Sequence, residues 1–437
     1  MSAETEVLIA QIDALTEQLR RGEAVLKSES IEREYRMPIY GKFARAISPL
    51  MRRLEQLRGT AAKDSLAPEE LDAAWREFTE AYGEGQRVFA QCLDFLGGIA
   101  VRRMGLERGI CGVAERLVGD FAFATGVPWS SVMILGEERL FDDVAQITQI
   151  IRMRFPEWDV WSLPFTAHEF GQLVASGESV RGLREFMVDE ERRLRRLIED
   201  AQIQQVELQA VAPTIRALRA EYVGTRNAVA VEQFLAQQRH HLHSLFADIF
   251  ATYFLGPAYV YARLFLRFVP TAAFTDEPAS PSEARRMAVM VSTLQQMSQA
   301  EKHDPYAEGA YDAETRRFEA LWENTVKAVT PGYEEDFIFG APYDGWFTQL
   351  FTLLRTEHGL VGFKTVDWEK AQALSDGLLQ FQPPPPGLSL PVILNAAWHC
   401  RVRHPERVED IEKRARELAE ELQPTARVSG QQQASTR

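Results

Sequence analysis

The residues of this chain that are best suited to catalysis or metal binding lie in one short stretch, His168-Glu169-Phe170-Gly171-Gln172. Residues four apart share one face of an α-helix. Two histidines at that spacing can bind one Zn²⁺ ion, while a Glu beside the first takes a proton from the metal-bound water. His168 and Glu169 are the residue types that this chemistry needs, with Glu169 as the general base. Gln172 stands where the second imidazole would be, and its amide oxygen is a poor zinc ligand beside an imidazole.

A second stretch of polar residues follows about 70 positions later and ends at Asp248; it reads His240-His241-Leu242-His243-Ser244-Leu245-Phe246-Ala247-Asp248. On a helix with about 100° per residue, His240, Ser244 and Asp248 fall within about 80° of one another, and His241 falls near Asp248. His243 points about 60° away from His240 on the other side. The spacing therefore favours His240 and His241 over His243 as partners of His168.

Together the two stretches resemble the zincins, the H-E-x-x-H metallopeptidases, and in particular the gluzincins. Gluzincins supply a third zinc ligand, a Glu, from a later helix in an E-x-x-x-D pattern, whose Asp hydrogen-bonds a ligand histidine. Here Ser244 stands in the position of that Glu and Asp248 in that of the Asp, while Gln172 replaces the second His. The resemblance covers roughly residues 150–270 and includes Gly171, a small residue often found before the second His. It implies that the His168 helix and the Ser244–Asp248 helix pack side by side and that a small β-sheet edges a cleft.

Two interpretations of the metal site stay open. In the first, His240 lies one turn before Ser244 and replaces the lost Glu, so that His168, His240 and, as a third ligand, His241 hold a metal. In the second, the histidines form a polar helix surface on a degenerate site that has lost its metal. Since Gln172 and Ser244 both remove binding energy, we expect Zn²⁺ to be bound weakly or to be absent.

Three functions are compatible with these residues. The first is a degenerate metallopeptidase-like protein that binds a peptide or partner protein in its cleft without efficient hydrolysis, with Trp161, Phe165 and Tyr259 among the cleft walls. The second is an active metal-dependent peptidase with rearranged ligands and Glu169 as general base. The third is a helical scaffold or interaction protein in which the His-Glu pair is accidental. We expect the first of these.

The expected fold class is mainly α, because apolar residues recur at helical spacing and few segments alternate at period two. We predict an N-terminal helical module over residues 1–125, a zincin-like domain over 126–422 with a helical insertion at 181–235, and a disordered tail over 423–437. Two helices are expected before residue 58, separated near Pro38 and Gly41. They form either a hairpin packed on its own protein or a coiled-coil arm that makes a homo-oligomer, and the short apolar repeat favours the hairpin.

Local patterns give four further expectations. Residues 132–135 are apolar and predict a short strand or a buried turn, and residues 142–153 predict a helix. The helix that carries His168 should start at Pro164 or Thr166, since proline is favoured in the first helical turn. The helix that carries Asp248 should cover residues 232–255 and end at Gly256-Pro257.

The composition restricts the class of partner. With 49 Lys and Arg against 63 Asp and Glu, the chain has a formal charge of −14, which argues against sequence-independent binding to nucleic acid or to an anionic membrane. Cys92, Cys111 and Cys400 are far apart and make no metal-finger spacing, so we expect reduced thiols. The N-terminus lacks the basic and apolar regions of a signal peptide. We therefore expect a soluble, bacterial-type cytoplasmic protein.

Overall fold

The structure of the protein is a computed structural model. This structure describes residues 3–29, 31, 33–63, 67–135, 149–154, 157–177, 181–199, 228–277, 280–300, 309–329, 344–356, 361–380, 383, 385 and 387–422. The predicted C-terminal tail and most of the predicted insertion, residues 200–227, lie outside these ranges. The predicted mainly α fold with a small sheet is confirmed.

The chain forms two compact units. The first comprises residues 1–111 and 128–158, and the second comprises residues 112–127 and 159–437. Their limits differ from the predicted boundary at residue 125, because residues 112–127 belong to the second unit while residues 128–158 belong to the first.

The described part of the first unit contains three long helices, a two-stranded parallel sheet and the start of a fourth helix. The helices and strands that lie wholly in this unit are α1 (Ala3–Leu26), α2 (Arg33–Ala61), α3 (Pro68–Arg103), β1 (Ser131–Leu135) and β2 (Ile150–Arg154). The apolar stripe of α1, from Leu8 to Leu19, is buried in one core with α2, α3 and the strands. Arg102 in α3 donates a hydrogen bond to the Val132 carbonyl of β1 at 2.7 Å. The first two helices therefore pack on their own unit, as the hairpin interpretation expected.

Two local predictions in this unit are wrong. The break between α1 and α2 falls at residues 27–32 rather than near Pro38 and Gly41, which lie inside α2. A proline and a glycine inside a helix cost about 3 and 1 kcal/mol, but burial of Ile39 and Phe43 on either side of Gly41 is worth about 1.5–3 kcal/mol each.

The second wrong prediction concerns the helix at 142–153. Residues 150–154 form strand β2, in register with β1 from the pair Ser131 and Ile150 to the pair Leu135 and Arg154. Short apolar runs do not distinguish helix from strand, and the β-branched Ile150 and Ile151 favour the strand. Residues 136–148 lie outside the described ranges.

The second unit is helical throughout its described part. Its α-helices are α4 (Ile110–Thr125, which begins in the first unit), α5 (Pro164–Ser176), α6 (Arg181–Glu199), α7 (Ala228–Leu255), α8 (Pro257–Ala262), α9 (Glu283–Ala300), α10 (Asp312–Val329), α11 (Asp344–Thr356), α12 (Thr365–Leu378), α13 (Leu390–Arg403) and α14 (Val408–Glu421). A π-helical turn (Arg263–Arg267) and two 3₁₀ turns (Pro270–Ala272 and Pro405–Arg407) connect some of them. No helix among the described residues has both the length and the hydropathy needed to cross a membrane.

The close contact of α5 with α7 is the central packing feature of the second unit, and it confirms that the two helices lie side by side. It depends on Gly171. A Cβ atom at this position would lie 2.9 Å from the Ala247 Cα and 3.2 Å from the Phe250 Cβ. Around this contact the rings of Phe121, Phe170 and Phe250 pack with centroids 5.7–5.9 Å apart. The glycine thus serves helix packing, which is the physical reason for a small residue at this point of the motif.

We expect Gly171→Ala to lower the free energy of unfolding by about 1–3 kcal/mol, because the new methyl group must push the α7 backbone away. The matched control is Gly112→Ala in α4, where a Cβ atom meets no described atom within 4 Å. That substitution should be neutral or stabilise by up to about 1 kcal/mol through helix propensity. Urea unfolding of both variants checks this expectation, and equal effects at the two positions would contradict it.

Candidate functional site

His168 and Asp248 come together at the contact of α5 and α7. Pro164 begins α5, where its missing N–H costs no helical hydrogen bond, and this places His168 in the second turn. The His168 side chain is buried and that of Asp248 is fully buried, and His168 Nε2 lies 3.4 Å from Asp248 Oδ1. The predicted association of the two stretches is confirmed at the level of these side chains.

Arg286 of α9 bridges these two side chains through hydrogen bonds. Its Nε donates to Asp248 Oδ2 at 2.9 Å and its Nη2 donates to Asp248 Oδ1 at 2.8 Å, which is a bidentate pair. Nη2 also lies 2.9 Å from His168 Nε2. Because a guanidinium can only donate, Nε2 accepts, and the contact assigns the proton of a neutral His168 to Nδ1. The lone pair that a metal would need is therefore used by Arg286.

Tyr259 completes the buried group. Its hydroxyl donates to Asp248 Oδ1 at 2.5 Å, and its ring stacks on His168 with the centroids 6.1 Å apart. Burial, followed by the negative charge of Asp248, raises the pKa of Tyr259 well above its ordinary value. The phenol therefore remains a donor at neutral pH. We refer to His168, Asp248, Tyr259 and Arg286 as the buried quartet.

The charges in the quartet are balanced by one ion pair. Burial is the largest single cause and lowers the pKa of Arg286, but the charge of Asp248, together with smaller contributions that include Glu283 and the hydrogen bond to Asp248, outweighs it and raises the pKa above its ordinary value. Arg286 therefore stays protonated although its side chain is only 5% exposed. A bidentate guanidinium–carboxylate pair is among the strongest charge-assisted hydrogen bonds in proteins.

The start of α9 is held in place by contacts that orient Arg286. The Asp276 carboxylate accepts a hydrogen bond from the Ser282 backbone N–H at 2.7 Å, which caps the chain just before the helix. Both oxygens of the Glu283 carboxylate accept hydrogen bonds from Arg263, one from Nε and one from Nη2. Arg286 Nη1 in turn donates to Ser280 Oγ at 3.3 Å. The Arg286 guanidinium is thus held by a hydrogen bond to Ser280, before the helix, as well as by Asp248.

Tyr259 reaches Asp248 because the chain turns sharply between α7 and α8. Gly256 has φ of 57°, in the left-handed region that glycine adopts without strain. Asn395 of α13 spans the turn, donating to the Leu255 carbonyl at 2.7 Å and accepting from the Ala258 N–H at 2.9 Å. This amide satisfies the backbone groups that the turn leaves unpaired.

The donor set does not match a zinc site in this arrangement. Zinc binds an imidazole nitrogen at about 2.0–2.1 Å, and the Nε2 lone pair of His168 cannot serve a metal and Arg286 together. A divalent cation beside a buried guanidinium is also repelled strongly at low dielectric. Across the described residues, no group of three or more His, Cys, Asp or Glu side chains is arranged to hold a metal ion.

The histidines predicted to replace the lost ligand have other surroundings. His240 is exposed. His241 is fully buried, and its Nε2 lies 2.7 Å from the Glu277 carbonyl oxygen, to which it donates. Burial is the main cause that lowers the pKa of His241, and the charge of Arg285 lowers it further. Among the contacts of the described residues, none joins either histidine to His168.

The remaining predicted positions lie close to the quartet in sequence but differ in burial. Ser244 is buried one turn before Asp248 on α7. Glu169 and Gln172 on α5 are partly buried, so they lie nearer to solvent than His168. The candidate base and the substituted ligand position are thus more exposed than the buried quartet.

The three aromatic residues predicted as cleft walls are buried. Trp161 and Phe165 are each 3% exposed and Tyr259 is 0% exposed. The Trp161 ring packs against Trp398, with centroids 5.2 Å apart, and the Phe165 ring packs edge-on against Tyr259 at 6.2 Å. These rings form the core around the quartet and offer no open surface to a peptide.

Arg286 was missed by reasoning from the sequence, although a signal for it exists. Arg286, Met290, Thr293 and Met297 follow one another at steps of four, three and four residues and are all buried. An arginine at the head of an apolar helical stripe must either be paired inside the protein or lie near its edge. The partner could not be identified from this pattern.

Comparisons of the chain with protein-family models, with curated sequences and with solved structures find no match.

Proposed function

We propose that this protein has a zincin-like helical core and binds a peptide or a partner protein without hydrolysing it. The observation that supports the absence of hydrolysis is the Arg286 guanidinium, which pairs with Asp248 and donates to the His168 nitrogen that a zinc peptidase would offer to its metal. An arginine thereby takes the place of the active-site cation. The binding of a peptide or partner is what the resemblance to the zincins implies.

The chemical consequence is the loss of an activated water. A carboxylate such as Glu169 is too weak a base to deprotonate bulk water efficiently at neutral pH, and it needs a water whose pKa a metal has lowered. A guanidinium keeps the buried charge of Asp248 balanced but has no open coordination position for water. The same arrangement therefore supports a stable core and opposes hydrolysis.

The peptidase with rearranged ligands is the weaker candidate. It requires His240 or His241 beside His168, whereas His240 is exposed and His241 is hydrogen-bonded to the Glu277 carbonyl. Association of copies through α1 and α2 stays a prediction, as does the cytoplasmic location.

We expect the purified protein to contain much less than one equivalent of zinc and to leave a broad peptide library uncleaved. Elemental analysis and a mass-spectrometric digest measure the two quantities, and the matched control is Glu169→Gln. Glu169 is partly buried, and the exchange keeps the side-chain volume while it removes the carboxylate, so this variant should fold like the unmodified protein. Chelator-sensitive cleavage that disappears in Glu169→Gln would show that the protein is a peptidase.

A further inference from the structure

A cavity of about 220 Å³ lies in the second unit, between the end of α5 and the helices α6 and α7. Its apolar lining comprises Ala175, Val188, Leu235 and Leu242. Leu235 is buried, whereas Val188 is 48% exposed, so the cavity is open to solvent beside α6. An apolar cavity of about 150 Å³ holds one benzene molecule. The space therefore accommodates a single six-membered ring with small substituents.

The charged side chains in the described lining already have partners. Glu191 accepts hydrogen bonds from Arg239 Nε at 3.1 Å and from Arg239 Nη2 at 2.7 Å, both at the same oxygen. Arg184 also lines the cavity and is engaged in an interaction of its own. A charged ligand would enter without a free counter-charge, and burying an unpaired charge is costly. The cavity therefore favours an uncharged ligand.

His243 of α7 brings an unused hydrogen-bonding group to the cavity. Burial, together with the charges of His240 and Arg239, lowers the pKa of His243 to about 4, so the ring is neutral at pH 7. A neutral imidazole has one donor and one acceptor nitrogen, and no contact within the described residues gives a hydrogen bond to either. The hydroxyl of Ser176, which also lines the cavity, already donates to the Gln172 carbonyl at 2.9 Å. His243 is thus the side chain that can receive the polar group of a ligand.

We propose that this cavity binds an uncharged one-ring aromatic molecule that carries a hydroxyl group, with the ring against Leu235 and Leu242 and the hydroxyl at a ring nitrogen of His243. A phenol hydroxyl donates and accepts, so it can use either nitrogen of a neutral imidazole. A rigid ring loses little conformational freedom on binding, which favours it over a flexible alcohol of the same volume. The inference goes beyond the proposed function and does not depend on it.

The first test is an NMR titration of the unmodified protein at pH 7 with para-cresol and with toluene, which share the ring and the methyl group and differ in the hydroxyl. The resonances of the His243 ring and of the Leu235 and Leu242 methyl groups report where the probe binds. We expect para-cresol to bind at least about fivefold more tightly than toluene, because it gains a hydrogen bond to an otherwise unused imidazole. Equal affinities, or no shift of these resonances at millimolar para-cresol, would overturn the proposal.

A charged probe tests whether the lining offers a free charge. We expect para-toluate, which carries a carboxylate in place of the hydroxyl, to bind more weakly than para-cresol, because Arg239 is already paired with Glu191. Tighter binding of para-toluate would show that an arginine is available to an anion, and would contradict the choice of an uncharged ligand.

Variants then assign the binding to this cavity. His243→Phe keeps an aromatic ring but removes both nitrogens, so its affinities for para-cresol and toluene should agree within about twofold. The control is His240→Phe, which changes an exposed residue three positions earlier on α7 and should leave the preference for para-cresol unchanged. A preference that persists in His243→Phe overturns the role of His243.

A second variant fills the cavity. Leu242→Trp should weaken the binding of both probes by at least about tenfold, because the larger side chain occupies the space of the ring. Since Leu242 is half-buried, the new ring can be accommodated without a change in the core. Unchanged affinities in this variant would mean that the probes bind elsewhere, and would overturn the site.

The hydroxylated ring has two sources, a free phenol and the tyrosine side chain of a peptide. N-acetyl-tyrosine amide distinguishes them, because it carries the same phenol group on an uncharged backbone. Tighter binding of this amide than of para-cresol assigns the group to a peptide, and tighter binding of para-cresol assigns it to a free small molecule. Failure of all these probes to bind would contradict the cavity assignment and leave the proposed function untouched, since zinc content and cleavage are measured separately.

Discussion

Replacing Arg286 with methionine is expected to lower the free energy of unfolding by about 3–5 kcal/mol, among the largest effects of any single substitution in this chain. The substitution keeps an unbranched apolar side chain but removes the guanidinium group and its charge. Asp248, which is 0% exposed, then keeps the hydrogen bond from the Tyr259 hydroxyl and the His168 ring 3.4 Å away, but no guanidinium. A buried carboxylate without a counter-charge is the physical cause of the loss.

The control for this variant is Arg285→Met, one residue earlier on the same helix. Arg285 pairs with Asp276, and the two side chains are 18% and 35% exposed. An ion pair that reaches solvent contributes about 1 kcal/mol or less. Urea unfolding at pH 7 gives both values. A loss below about 1 kcal/mol for Arg286→Met would mean that Asp248 is satisfied without the guanidinium, and would remove the basis of the proposed function.

A double variant separates the charge from the packing. Asp248→Asn with Arg286→Met removes both charges, so its loss should be smaller than the sum of the two single losses by at least about 1 kcal/mol. Additive losses would indicate that the two residues stabilise the unit independently.

Rebuilding the zinc ligands is expected to restore tight metal binding only when Arg286 is also removed. Gln172→His and Ser244→Glu supply the imidazole and carboxylate that the zincin resemblance implies. In this double variant the Arg286 guanidinium still uses His168 Nε2 and repels a dication. Adding Arg286→Ala frees the lone pair of His168 and leaves the charge of Asp248 to stabilise the metal-bound histidine.

We expect the triple variant to bind Zn²⁺ at least about 100-fold more tightly than the double variant, a difference of roughly 2.7 kcal/mol. Titration calorimetry measures both constants, and far-ultraviolet circular dichroism checks that each variant is folded. The unmodified protein and Arg286→Ala alone are the controls, since each lacks two of the three ligands. Equal affinities of the double and triple variants would show that Arg286 is no obstacle to a metal.

The local sequence determined the elements that carry the site. Pro164 sets the start of α5, because its ring fixes φ and it lacks an N–H. Gly256-Pro257 ends α7, because glycine adopts the left-handed conformation without strain and proline cannot continue the helix. The resemblance of the His168 stretch and the Ser244–Asp248 stretch to the zincins predicted correctly that the two helices meet. The same local reasoning failed at β2 and at Pro38, where burial against other elements outweighed intrinsic propensity.

The tertiary structure decided what the assembled site is. Arg286 lies 118 positions after His168, and nothing near it in the sequence identifies Asp248 as its partner. Only the packing of α9 against α7 brings the guanidinium to the carboxylate and to the imidazole nitrogen. The sequence therefore suggested residues of metal-binding type, and the tertiary structure determined that the Arg286 guanidinium contacts two of them, His168 and Asp248. This contact depends on distances between elements, which no local pattern contains.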